Sequence, residues 1–374
     1  MAARIRHSRT IDMLQIPLAI SIVASLTLAY GVGAAWAQAP LPWTIEHAAP
    51  GLRAASCPEG RAPAVFEPLS LAVTPVVPGP NEELAAQLPD GVRFAGGWHL
   101  ASDAPHWGGL SGLAVEPGGD LLAVTDTGRF ARICLSAGAP DGTAGLAPMR
   151  FSNPLIRPGK LTADAEGLAL ADGLAFVAFE RDFRVLAFDL DGCGTASTGV
   201  RVATPPRHFG KVRVRANAGP EALELRGDGT LWLTYEQPRT IPAQWEAAVG
   251  DGGRAVSAQV MADGTARLVD EGGAALQPDH RPVGTDSIIL ADGRPVSARL
   301  FRAYDAERGN RVRLELSRSD QPDIVIRLVP PIETDNFEGV ALSSTPDGLR
   351  VYILSDDNFS KRQRTLLYAF DVRS

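Results

Sequence analysis

One short phrase returns along this chain, and its period limits the folds open to it. Gly109-Leu-Ser-Gly-Leu-Ala-Val115, Ala165-Glu-Gly-Leu-Ala-Leu170, Pro220-Glu-Ala-Leu-Glu-Leu225 and Phe337-Glu-Gly-Val-Ala-Leu342 are variants of it, and Asp286-Ser-Ile-Ile-Leu290 is a weaker copy. With Ser111, Glu166, Glu221, Asp286 and Glu338 as equivalent positions, the copies stand 55, 55, 65 and 52 residues apart. Repeats of this length build propellers or solenoids.

The residues after each phrase decide between the two. Asp172-Gly173, Asp228-Gly229, Asp292-Gly293 and Asp347-Gly348 each precede a second apolar run, and Gly118-Gly119 serves in the first unit. Asp-Gly is the pair that a tight two-residue hairpin needs, because both central residues then take positive φ. Further strand-like runs come after these hairpins, among them Arg184–Leu190, Val256–Met261, Val312–Leu316, Ile324–Val329 and Thr365–Val372. Units of about four antiparallel strands are propeller blades. The last phrase has few strands after it, and an unassigned strand, Val92 to Leu100, precedes the first. The expectation is therefore an all-β propeller of five or six blades, closed by pairing of its N-terminal and C-terminal strands, which removes open sheet edges. The 38 Gly, 29 Pro and 21% charged residues suit many short strands and turns.

The propeller domain is expected over residues 91–374. Residues 38–90 read as a Pro- and Ala-rich linker or cover segment whose strand-like run is Phe66 to Thr74. Residues 1–37 carry the three-part pattern of an export signal: Arg4, Arg6 and Arg9, an apolar run from Ile16 to Gly33, and Ala35-Trp36-Ala37 as cleavage site. The apolar run is also long enough for an uncleaved anchor. With cleavage, no membrane span remains and a periplasmic or secreted location is expected. Export permits a disulfide, and Cys57, Cys134 and Cys193 allow one bridge, whose members spacing does not choose. A net charge of −7 argues against nucleic acid as a partner.

The repeat places an acid at the start of the first strand and another at the end of the second: Glu166 with Glu180, Glu221 with Glu236, Glu338 with Asp356, and Ser111 with Asp126. Hairpin strands are antiparallel, so these ends share one edge, and the acids are expected around one mouth of the channel. Crowded carboxylates raise one another's pKa unless a positive charge sits among them. Oxygen-only donors suit Ca2+ before Mg2+, and the scarcity of His and Cys argues against zinc. Arginine is the other remedy, and Arg129, Arg181, Arg184, Arg213, Arg215, Lys361, Arg362 and Arg364 flank the same edge. A recurring acid also suits a purely structural role, accepting backbone N–H groups between blades. The group Glu333, Asp335, Glu338, Asp356 and Asp357 includes acids outside the repeated positions. Ser111 lacks the Gly-x-Ser-x-Gly context of a hydrolase nucleophile, and His99 and His106 have no evident third partner.

The strings Gly108-Gly-Leu-Ser-Gly112 with Thr125-Asp126, Asp164-Ala-Glu-Gly167 with Phe179-Glu180, Asn217-Ala-Gly-Pro-Glu221, Asn336-Phe-Glu-Gly339 and Ser355-Asp-Asp-Asn-Phe359 with Gln363-Arg-Thr365 resemble the phytase-like family, also called esterase-like activity of phytase. The resemblance spans about Gly91 to Val372. It implies an exported bacterial propeller acting on phosphate esters with Ca2+. Glu166, Glu180, Glu221, Glu236, Glu338, Asp356 and Asp126 are then the expected metal ligands, and Arg181, Arg184, Arg362 and Arg364 the expected contacts to a phosphate ester. A non-catalytic propeller that binds a metal or ligand in the cell envelope is the alternative. The fourth unit departs from the family's pattern: no acid precedes Asp305 in Leu300-Phe-Arg-Ala-Tyr304, so the ring is expected to be incomplete there.

Overall fold

The computed structural model describes residues 40–152, 159–209, 212–236, 256–269, 280–319 and 321–373. The export-signal reading of residues 1–37, and much of the long stretch 237–283, lie outside them.

Each phrase opens a blade. The blades begin with the inner strands Leu110–Val115, Ala165–Ala171, Pro220–Leu225, Arg281–Ile289 and Phe337–Thr345, and each continues outward through three more antiparallel strands. The inner strands neighbour one another in that order, and the fifth returns to the first. The described residues therefore form a five-bladed propeller, with no sixth blade among them.

Closure takes the expected route. Val92–Ala101 pairs with Leu366–Arg373, so both ends of the chain complete the fifth blade. Continuous apolar strands explain the core: Leu174–Phe179 and Arg184–Asp189 are buried along their whole length between neighbouring blades.

The run from Phe66 to Thr74 becomes two short strands. Glu67–Ser70 adds to the outer edge of the first blade and Ala72–Pro75 to that of the fifth. The same segment also holds two helices that the sequence pattern does not announce, Ile45–Ser56 and Asn81–Gln87. Pro50 and Gly51 obscure the first in sequence, yet Ala49, Leu52 and Ser56 form a buried face that packs on the second blade. A disulfide between Cys57 and Cys193 fastens the helix end to that blade, leaving Cys134 free.

The hairpin chemistry differs from expectation in most units. Only Asp172-Gly173 takes positive φ at both residues, 56° and 72°. At Asp228-Gly229 and Asp292-Gly293 only the glycine does. There the aspartate keeps an ordinary backbone, and its carboxylate accepts the N–H two residues on, from Thr230 at 3.0 Å and Arg294 at 3.1 Å. An Asx turn does the work assigned to a left-handed aspartate.

Candidate metal centre

The inner strands carry the device that aims the acids. Pairing with the second strand shifts in every blade, skipping one position between Ala165 and Gly167, Pro220 and Ala222, Pro282 and Gly284, and Phe337 and Gly339, and two between Leu110 and Leu113. A β-bulge leaves its extra residue out of the ladder and redirects the side chain. Ser111, Glu166, Glu221, Val283 and Glu338 occupy this position. In every blade but the third, where Ala222 follows Glu221, a glycine beside it lets inner strands approach closely: a Cβ on Gly112 would stand 2.6 Å from the Glu166 carbonyl oxygen, and one on Gly339 2.6 Å from that of Ser111. Gly284 makes the same approach to Glu338.

This register corrects the fourth repeat. The equivalent residue is Val283, three positions before Asp286. Asp286 lies farther along the strand, where its carboxylate accepts the backbone N–H of Leu342 at 2.7 Å and of Ser287 at 2.8 Å. It ties the fourth blade to the fifth, the structural role open to any recurring acid, and burial raises its carboxyl to about 7.

The residue after the second strand is equally regular. Asp126, Glu180, Glu236 and Asp356 each donate a backbone N–H to the residue two before the bulge, namely Gly109, Asp164, Gly219 and Asn336. In the fourth blade this position is Arg302. Val283 and Arg302 thus stand where the other blades place polar and acidic groups.

All seven acids expected as ligands are buried, and their charges act on one another across the blades. Their partners differ. Lys160 lies 2.6 Å from Asp126 and 4.0 Å from Asp164. Burial opposes the charge of Lys160, but the Asp126 hydrogen bond and the nearby carboxylates outweigh it and hold the ammonium above the usual lysine range. Arg302 lies 3.0 Å from Glu338 and 3.6 Å from Glu236, and also bonds the Asn336 side chain. Arg281 meets Glu236 at 2.8 Å, and Arg181 meets Asp164 at 2.5 Å. Glu338 also accepts from Ser111 at 3.3 Å and from Asn336 at 3.0 Å.

Glu166, Glu180, Glu221 and Asp356 are left with no Lys or Arg ion-pair partner among the described residues. Burial first, then the charges of Glu338 and Asp164, lift Glu166 well above the usual carboxyl range. Burial, then Glu166 and Glu236, does the same to Glu221. Burial, then Asp164 and Glu236, pushes Glu180 to about 8. Two sets, Asp164 with Glu166 and Glu180, and Glu180 with Glu221 and Glu236, each bring one carboxylate oxygen per residue within 4.8 Å of one another. One buried oxygen of Asp164 has no hydrogen-bond partner. An all-oxygen donor set with unbalanced charge and an unsatisfied lone pair fits a hard cation.

Asp164, Lys160, Arg281 and Arg302 were not among the expected site residues. The signal for Asp164 was its place two before Glu166 in the string Asp164-Ala-Glu-Gly167; nothing local marks Lys160 as the partner of Asp126 or Arg302 as the partner of Glu236 and Glu338. Of the expected arginines, Arg181 reaches the ring through Asp164. Arg184 is sealed inside its blade at 1% exposure, its guanidinium over the rings of Phe151 and Phe179. Arg362 is exposed, and Arg364 pairs with Glu333 rather than with a ring acid. Asp335 and Asp357 accept backbone N–H groups, from Asn336 and Arg364 and from Gly109 and Phe359. His106 is exposed, and burial, then Arg364, keeps His99 below the usual imidazole range.

A family model described as phytase-like, esterase-like activity of phytase, matches residues 105–359. The chain belongs to the phytase-like family. The match spans the propeller from just before the first inner strand to the turn after Asp356, so every ring position of this phytase-like chain falls inside it. No curated protein matches at a significant level. Among solved structures, the PQQ-bound aldose sugar dehydrogenase of Streptomyces coelicolor is 14% identical with a TM-score of 0.43, covering 76% of this chain and all of its own. An inactive variant of virginiamycin B lyase from Staphylococcus aureus, with quinupristin, is 10% identical with a TM-score of 0.39, covering 81% of this chain and 99% of its own.

Proposed function

We propose that this protein is an exported, cation-dependent phosphoric ester hydrolase whose metal is Ca2+. The observation that carries the reading is the pair of buried carboxylate sets sharing Glu180, in which Glu166, Glu180 and Glu221 form no ion pair with Lys or Arg among the described residues. The family description, which names esterase-like activity, supports ester hydrolysis. Asp164, Glu166, Glu180, Glu221 and Glu236 would hold the ion. Bound there, it would polarise a phosphoryl oxygen and lower the pKa of a coordinated water.

The chain's own groups do the rest. The bulges fix the direction of Glu166 and Glu221, so the donors converge without rearrangement. Lys160 pairs with Asp126 of the first blade and Arg302 with Glu338 of the fifth, while Glu166, Glu180 and Glu221 of the second and third blades keep no ion pair. Export rests on the signal pattern of residues 1–37; among the described residues no helix is long and apolar enough to cross a membrane.

The test is hydrolysis of phytate and of p-nitrophenyl phosphate by the purified mature chain, with Ca2+ and with EDTA, alongside metal analysis. Ca2+-dependent turnover supports the proposal. Bound metal without turnover favours a non-catalytic binding propeller, and neither metal nor turnover removes both readings.

A further inference from the structure

The fourth blade breaks the acidic ring, and it does so with one apolar residue and one cation at the two repeated positions. Val283 is buried at 1% exposure, so no charge stands at that bulge. Arg302 is not closed in as its neighbours are: its side chain is 21% exposed, against 8% for Glu236 and Glu338. Its donors are not exhausted, because one terminal nitrogen serves Asn336, the other faces Glu338 and Glu236, and the buried Nε has no partner. A guanidinium offers five N–H donors in a fork that fits oxyanions.

Glu236 links this arginine to the cation centre. It belongs to the carboxylate set with Glu180 and Glu221, and it is also the shared partner of Arg281 at 2.8 Å and Arg302 at 3.6 Å. A cation drawing on Glu236 competes with both guanidinium groups for the same carboxylate, which leaves each of them with N–H donors to offer.

We infer that Arg302, seconded by Arg281, is the docking point for the anionic group of the ligand, and that cation binding through Glu236 primes it. This rests on the cation-centre reading above and adds where the ester's phosphate docks and what regulates that docking: the guanidinium groups of the fourth blade, primed through Glu236. By linkage, Ca2+ and phosphate each strengthen the other's binding by the same factor.

The experiment is calorimetric titration of the full mature chain with CaCl2 and, separately, with sodium phosphate in Ca2+ and in EDTA, for wild type, Arg302→Gln, Arg302→Lys and Arg281→Gln. The expected result is phosphate binding strengthened by Ca2+ in wild type, weakened at least tenfold in Arg302→Gln, and partly restored in Arg302→Lys. Calcium affinity in Arg302→Gln should hold or rise, since a competing positive charge is gone. Phosphate affinity unchanged in Arg302→Gln overturns the inference, as does a wild type that binds no phosphate in either buffer. Phosphate binding that needs Arg302 but ignores Ca2+, with no calcium bound, retains the docking role and removes the cation centre and its priming. If Arg302→Gln does not fold, Arg302→Lys and Arg281→Gln carry the same comparison, and unchanged phosphate affinity in both overturns it.

Discussion

In the metal-free protein, Glu180 is buried beside Asp164 and Glu236, and its carboxyl is moved from 4.5 up to about 8. The folded value lies above the unfolded one. The group's contribution to stability is therefore complete below about pH 4.5 and is lost as the pH rises through about 8. The full displacement corresponds to roughly 5 kcal/mol against the charged form. Neighbouring carboxyls share the protons, so about 2 kcal/mol is the part expected to reach a measurement. Glu180→Gln keeps the shape but never charges. In EDTA the variant should match wild type near pH 4.5 and melt higher near pH 9, by about 4 °C at ~2 °C per kcal/mol. With Ca2+ the order should reverse, because glutamine is a poorer ligand and loses the stabilisation that a native-state ligand confers. Differential scanning calorimetry at both pH values, in EDTA and in Ca2+, reads all of this. A variant that melts at or below wild type near pH 9 in EDTA, or that responds to Ca2+ as wild type does, refutes the account of Glu180 as an uncompensated acid.

Asp286→Asn should leave calcium affinity unchanged, since Asp286 bonds backbone N–H groups between blades rather than facing the ring; a calcium titration that weakened with this change would return Asp286 to the site. Gly339→Ala should cost at least ~2 kcal/mol in urea unfolding, because the added carbon meets the Ser111 carbonyl oxygen at 2.6 Å. A neutral result would mean that the inner strands can separate without loss.

Much of the architecture is written in the chain. Recurring phrases and hairpin signals specify blades, and the unpaired run Val92 to Leu100 signals closure, because strand pairing is local within a blade and the period is regular. Antiparallel pairing likewise brings Glu166 next to Glu180 and Glu221 next to Glu236, so a common acidic rim was legible. The weak fourth copy was not. Asp286 resembles the phrase in composition, whereas the bulge that defines the equivalent position at Val283 exists only as a skip in strand pairing. Helix Ile45–Ser56 was hidden for a related reason: its buried face acquires meaning only against the second blade.

The sequence by itself determined that Glu166 and Glu180, and Glu221 and Glu236, would be brought together by antiparallel pairing. Tertiary structure alone decided which of them lack a counter-charge. Lys160 meets Asp126 across a connection between blades, and Arg302 meets Glu236 and Glu338 from the blades on either side of its own. Charge compensation depends on distances of a few ångströms through space, and those distances are set by how blades pack, which no spacing along the chain encodes.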